Sequence, residues 1–141
     1  FPTGPRFPDM HEAYNKGLIE LANSIAKEKD IRLVHGVYMG VSGPTFETPA
    51  EYRAFYRLGA DAVGMSTVPE VIVACHSGIK VFGMSIITDL GLEGTAVEVS
   101  HEEVQIAANK AQPLMTEIMR EMIRRSSVVL LLYKRKSSYK T

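Results

Sequence analysis

At 141 residues, 45% of them hydrophobic and 8% aromatic, the chain can build one compact domain and has little room for a second. Sixteen Lys+Arg offset 16 Asp+Glu, a balance that argues against an electrostatic nucleic-acid binder, and the apolar fraction is too high for a charge-driven disordered tail. The longest apolar run, residues 128–132, falls far short of the roughly 20 residues that span a bilayer.

One cysteine, Cys75, cannot close an internal disulfide, and no signal-peptide pattern is present, so a soluble domain of the reducing cytoplasm is expected. A start at Phe1-Pro2-Thr3 without methionine makes a piece of a longer protein the expectation.

Asp9 and Glu12 have capping-box spacing, and Tyr14, Leu18, Leu21, Ala22 and Ile25 then recur at helical intervals. Residues 31–41, rich in Val, Ile and Tyr, read as one or two strands, with Gly36 marking a bulge or a close approach. Thr48, Pro49 and Glu51 start a short helix expected to turn Tyr52, Phe55, Tyr56 and Leu58 inward and to stop at Gly59. Residues 60–65 form a short strand, Thr67, Pro69 and Glu70 open another helix, and Gly78 ends it. Residues 80–88 are expected as a strand buried on both faces, followed by a glycine-containing loop over 90–99. Ser100 and Glu103 open the last helix, whose apolar stripe is Val104, Ala107, Ala108, Ala111, Met115, Ile118 and Met122, with Pro113 expected to kink or split it. Strands alternating with helices define an α/β fold with a mixed, largely parallel sheet flanked by helices.

In such sheets ligands bind beyond the carboxyl ends of the strands. Those ends carry Phe46-Glu47, Met65-Ser66 and Thr88-Asp89, expected side by side on one sheet edge. Ser66 and Thr67 open a helix, where a hydroxyl can bind an anion or simply cap the helix. Glu47 can accept two hydrogen bonds from a planar donor pair, as carboxylates do on nucleobase edges, or stand as a solvated turn residue. Asp89 has the same two readings. His101, on the first turn of the last helix, can accept from a substrate hydroxyl or be an ordinary surface histidine. The four histidines and the cysteine show no zinc spacing, and neither a phosphate-cradling glycine pattern nor a nucleophile elbow occurs.

Gly43-Pro44-Thr45-Phe46-Glu47-Thr48 and the block from Leu58-Gly59-Ala60-Asp61 through Met65-Ser66-Thr67-Val68-Pro69-Glu70 closely resemble the trimeric purine nucleoside phosphorylases. Gly4-Pro5-Arg6-Phe7-Pro8-Asp9-Met10 and His101-Glu102-Glu103-Val104 extend the resemblance, in order, across about residues 4–124. It implies a phosphorylase-like fold and cleavage of purine (deoxy)nucleosides by orthophosphate to free base and pentose 1-phosphate, in purine salvage. Orthophosphate is then a co-substrate, no metal or organic cofactor is needed, and the partners are the nucleoside, phosphate and two further copies in a homotrimer, with no nucleic acid and no membrane. Glu47 resembles the carboxylate that accepts from N1–H and the 2-amino group of a 6-oxopurine, and Asp89 the group facing N7 and the 6-substituent. By the same resemblance Phe46 packs on the base, Met65 lines the ribose, Ser66 donates to phosphate and His101 binds the 5′-hydroxyl. Val104 lies on the same helix face, Tyr38 is near the site, and Phe7 reaches into a neighbouring subunit.

The chain departs from that pattern in several places. Many such enzymes carry asparagine where Asp89 stands, whereas methylthioadenosine phosphorylases carry aspartate; Glu47 favours guanosine and inosine, Asp89 admits 6-amino substrates. The N-terminal half, with the glycine-rich phosphate loop, the Arg and His of the anion site and a sugar-binding tyrosine, has no counterpart. Residues 1–125 therefore read as the C-terminal half of a single phosphorylase domain. Residues 126–141 read as an atypical tail, with its apolar run a strand, an interface or a foreign segment. The competing readings are a non-catalytic truncated fragment that binds purines weakly and a methylthioadenosine-type phosphorylase.

Overall fold

The structure, a computed structural model, describes residues 4–91 and 101–137. Along them run α1 (Lys16–Glu28), β1 (Tyr38–Gly40), α2 (Pro49–Arg57), β2 (Ala62–Gly64), α3 (Thr67–His76) and α4 (His101–Ser137). The fold is α/β, as expected. β1 and β2 are parallel neighbours joined through α2, with Tyr38 opposite Ala62 and Gly40 opposite Gly64.

α1 starts later than the capping-box spacing predicts. Asn15 caps it, accepting from the Leu18 N–H at 3.2 Å. Asp9 and Glu12 instead serve the preceding turn, accepting from the His11 N–H at 2.9 Å and the Lys16 N–H at 3.2 Å. Once started, α1 buries Ala22, Ile25 and Ala26 against Ile118 and Met122 of α4, and Ile25 and Ile118 are 0% and 1% exposed. Removing these apolar side chains from water is the main force joining the two helices.

The stripe expected on α4 is the one the helix turns inward: Val104, Ala107, Ala108, Ala111 and Met115 are partly buried, Ile118 and Met122 fully. Pro113 does not split α4. It sits on the exposed side of the helix. The apolar run at 128–132 continues the helix and forms no strand. Residues 92–100, with most of the expected loop and Ser100, lie outside the described residues.

Three other expectations need correction. Of residues 31–41 only Tyr38–Gly40 is a strand, and residues 80–88 belong to no strand. A strand exists only where a neighbour meets its backbone groups, and among the described residues the ladder is three pairs long. Residues 80–88 are accordingly only half-buried, with Ile87 57% exposed. On α2, Tyr52 and Phe55 turn inward, but Tyr56 and Leu58 are exposed. Gly36 is a close approach: Asp61 packs against it and accepts from the Val37 N–H at 2.7 Å.

Charge fastens the outside of the α1–α4 pair. Arg125 of α4 grips Glu28 of α1 through both terminal nitrogens, at 2.9 and 2.5 Å, and also donates from Nε to Glu121 at 2.8 Å. Hydrogen bonds from Arg124 and then Arg125 hold the Glu121 carboxyl at about 2, against an ordinary 4.5, and the Arg125 bond lowers Glu28 as well. Because the folded values lie below the unfolded ones, this stabilisation is complete above the ordinary carboxylate range and fades as pH falls from about 4.5 toward 2. The melting temperature is expected to fall across that window. The decline should be shallower in Glu121→Gln and in high salt, which screens such exposed pairs. Thermal melts from pH 6 to about 2 check it.

Candidate functional site

The best-specified segment of the site is the loop into α2. Thr48 caps the helix and accepts from the Glu51 N–H at 3.3 Å, while Glu51 Oε2 accepts from the Thr48 N–H and hydroxyl, both at 2.7 Å. Those bonds, the backbone one first, hold the Glu51 carboxyl below its usual range. With Pro49 at the first helical turn, this box fixes where Phe46 and Glu47 leave the loop. Upstream, Gly43 has φ +63° and lies against Met65, whose sulfur would meet an added Cβ at 2.5 Å. Any side chain at 43 would be strained by its backbone and would push Met65 away. The loop ahead of α2 and the end of β2 are thereby brought together, as the strand-end argument requires.

Glu47 and Asp89 come together through a residue the sequence reading assigned only to packing. The Tyr52 hydroxyl on α2 lies 3.2 Å from Glu47 Oε2 and 3.3 Å from Asp89 Oδ2. The second oxygen of Asp89 accepts from the Thr88 hydroxyl at 3.1 Å. Burial first, then the charges of Asp89 and Glu47, push the Tyr52 phenol well above its usual range. The only sequence signal for Tyr52 was a hydroxyl on an otherwise apolar helix face, five residues beyond Glu47.

Ser66 occupies the N-cap of α3, one residue ahead of the expected Thr67, but its backbone is α-helical and its side chain makes no capping bond. The hydroxyl is exposed beside the α3 N-terminus, where backbone N–H groups favour an anion. Phe46 is 55% exposed next to Glu47, leaving an aromatic face open to a ligand. Tyr38 is partly buried and packs its hydroxyl over Gly64 of β2. Phe7 stands on the surface, 82% exposed, with the Arg6 guanidinium 5.4 Å from its ring centre. Val104 is partly buried on α4, and His101 is the first residue of that helix; the side chain of His101 lies outside the described residues.

A separate cleft of about 500 Å³ opens between α1, residues 32–38 and residues 82–87. Tyr38 and Thr67 line it, but Glu47 and Asp89 do not, so the chemistry is better sought at the Glu47–Tyr52–Asp89 cluster. Cys75 is tied to the main chain, its thiol 3.6 Å from the Ala13 carbonyl, which fits a structural role. Among the described residues no His, Cys, Asp and Glu group has the makings of a metal site, and no helix is long and apolar enough to cross a membrane.

A parallel β–α–β unit, with Glu47 and Asp89 converging on one tyrosine hydroxyl beside it, makes this an α/β fold. The family model for the phosphorylase superfamily matches residues 1–124, and the chain belongs to that superfamily. It is 45% identical over 120 residues to purine nucleoside phosphorylase 1 of Bacillus subtilis, the match covering 85% of this chain and 44% of the relative. Isoform 2 of purine nucleoside phosphorylase from Schistosoma mansoni, solved with cytosine and ribose-1-phosphate, superposes with a TM-score of 0.83 at 47% identity, over 86% of this chain and 44% of that one. A Schistosoma purine nucleoside phosphorylase in complex with guanosine gives a TM-score of 0.79 at 40% identity, over 85% and 45%. The chain thus spans under half the length of the relatives it matches.

Proposed function

We propose that this chain is the base-recognition half of a purine nucleoside phosphorylase, which transfers the pentosyl group of guanosine- or inosine-type (deoxy)nucleosides to orthophosphate in purine salvage. The observation that carries the reading is the convergence of Glu47 and Asp89 on one hydroxyl, beside the exposed ring of Phe46. Two carboxylates and an aromatic face are what a planar, donor-bearing base requires. The relatives solved with guanosine and with ribose-1-phosphate support it.

In this reaction a phosphate oxygen bonds to C1′ as the C1′–N9 bond breaks, and its electron pair passes into the purine, which takes a proton at N7. Glu47 accepts from N1–H and the 2-amino group, and Asp89 faces N7 and the 6-substituent, where the proton must arrive. Ser66 donates to phosphate at the α3 N-terminus, Met65 lines the sugar and Phe46 stacks on the base. His101 takes the 5′-hydroxyl, with Val104 on the same helix face and Tyr38 nearby. Phe7 completes a neighbour's sugar pocket in a homotrimer. Substrate and orthophosphate suffice, without metal or organic cofactor, and the enzyme is cytoplasmic. Residues 1–125 supply this half-domain and 126–141 an appended tail.

The test is release of base from guanosine by this polypeptide with and without orthophosphate. Any release must depend on phosphate, and release that ignores phosphate overturns the reading in favour of a hydrolase. Asp89 favours a second reading, a methylthioadenosine-type phosphorylase, which predicts faster release from adenosine than from guanosine. Purine binding without turnover assigns catalysis to a longer polypeptide and leaves this chain a binding fragment.

A further inference from the structure

Tyr52 offers one proton to two carboxylates. Its oxygen is 3.2 Å from Glu47 Oε2 and 3.3 Å from Asp89 Oδ2, and a phenol can donate to only one of them at a time. The arrangement is held from each side. Asp89 is pinned through its other oxygen by the Thr88 hydroxyl, and Glu47 leaves the loop immediately before the Thr48–Glu51 capping box. The Tyr52 ring rests on Gly91, where an added Cβ would come within 2.5 Å of a ring carbon. Whichever carboxylate Tyr52 does not serve is left needing a donor from elsewhere, because two like charges sharing one proton repel.

We infer that Tyr52 is a positioning and specificity-determining residue whose single hydroxyl proton swings between Glu47 and Asp89, so that the pair reads the donor pattern of a purine edge as one unit. This rests on the purine-nucleoside reading above. A base with its donors at N1 and the 2-amino group satisfies Glu47, and Tyr52 then donates to Asp89. A base with a 6-amino donor satisfies Asp89, and Tyr52 turns to Glu47. Wild type therefore accepts both classes. With the hydroxyl removed, any base that serves only one carboxylate leaves the other without its tyrosine donor beside an apolar ring, while 2,6-diaminopurine, which has donors for both, is spared.

Binding of guanine, adenine and 2,6-diaminopurine to the full chain is measured by calorimetry, and phosphate-dependent turnover of the matching ribosides in parallel. Tyr52→Phe is expected to weaken guanine and adenine by about tenfold or more relative to 2,6-diaminopurine, the usual loss for a hydrogen bond to a charged group. In the Asp89→Asn background only Glu47 remains to be served, so the same change should leave the guanine to 2,6-diaminopurine ratio unaltered while adenine, which has no donor for Glu47, still weakens. A merely structural Tyr52 would weaken all three bases equally, and that result, or no purine binding at all, overturns the inference. Should Tyr52→Phe not fold, Asp89→Asn with the ring in place still decides: adenine must lose affinity relative to guanine, and an unchanged ratio overturns the inference. The predicted binding ratios without any phosphorolysis would uphold the role of Tyr52 while refuting the proposed reaction.

Discussion

Ile118→Ala lowers the stability of the chain by about 2–5 kcal/mol, enough to remove a large part of the 5–15 kcal/mol typical of a whole domain. Ile118 is 1% exposed and faces Ile25 at 0%, in a core otherwise made of Ala22, Ala26 and Met122. Two small alanines on α1 let the helices approach closely, and Ile25 and Ile118 are the largest fully buried side chains in this core. Truncating one leaves a cavity that rigid helices cannot fill, and the lost contacts add to the lost burial. The melting temperature, followed by helical circular dichroism, should drop on the order of 10 °C. Ile106→Ala on the same helix removes the same atoms from a side chain that is 69% exposed, and should change stability by under about 0.5 kcal/mol. Equal effects at the two positions would mean that α1 and α4 do not form the core.

How much of this was legible depended on how local each signal is. Thr48, Pro49 and Glu51 announce α2 because cap, proline and partner lie within four consecutive residues and make their bonds there. The α4 stripe was legible for a similar reason: a helix completes its own hydrogen bonds, so periodicity alone reveals the buried face. Asp9 and Glu12 misled because the same spacing that caps a helix also closes the turn before one, and Asn15 made the cap. Residues 80–88 misled for the opposite reason. Their apolar character is real, but a ladder depends on another segment lying alongside. The run at 128–132 is too short for its pattern to separate strand from helix, and the periodic helix before it carries straight through.

Glu47, Ser66 and Asp89 stood out because polar chemistry is expected at strand ends in α/β folds, although residues 80–88 ahead of Asp89 form no strand. Tyr52, which joins Glu47 to Asp89, did not stand out. Its position on α2 reads as packing, and its ring does turn inward; only the fold sets its hydroxyl against Asp89, 37 residues downstream.

Under the proposed phosphorolysis, Glu47→Gln is expected to lower kcat/KM for guanosine by roughly a hundred- to thousandfold, the usual loss when a charged hydrogen-bond partner is replaced by one that cannot complete the set. The amide has the size of the carboxylate but only one accepting atom, and it turns its own N–H donors toward a base edge that already carries donors at N1 and the 2-amino group. Inosine, which lacks the 2-amino group, has one fewer donor to lose and should suffer about tenfold less than guanosine. Adenosine, which on the same reading engages Asp89 through its 6-amino group, should change least. The loop should stay in place, since the Thr48–Glu51 box is independent of residue 47 and the amide oxygen can still accept from Tyr52. Steady-state kinetics on the three nucleosides separate the possibilities. A graded loss, guanosine before inosine before adenosine, is what a carboxylate reading the purine edge must produce. Equal losses would reduce Glu47 to a residue that merely shapes the loop, and the case for base recognition would then rest on Asp89 alone.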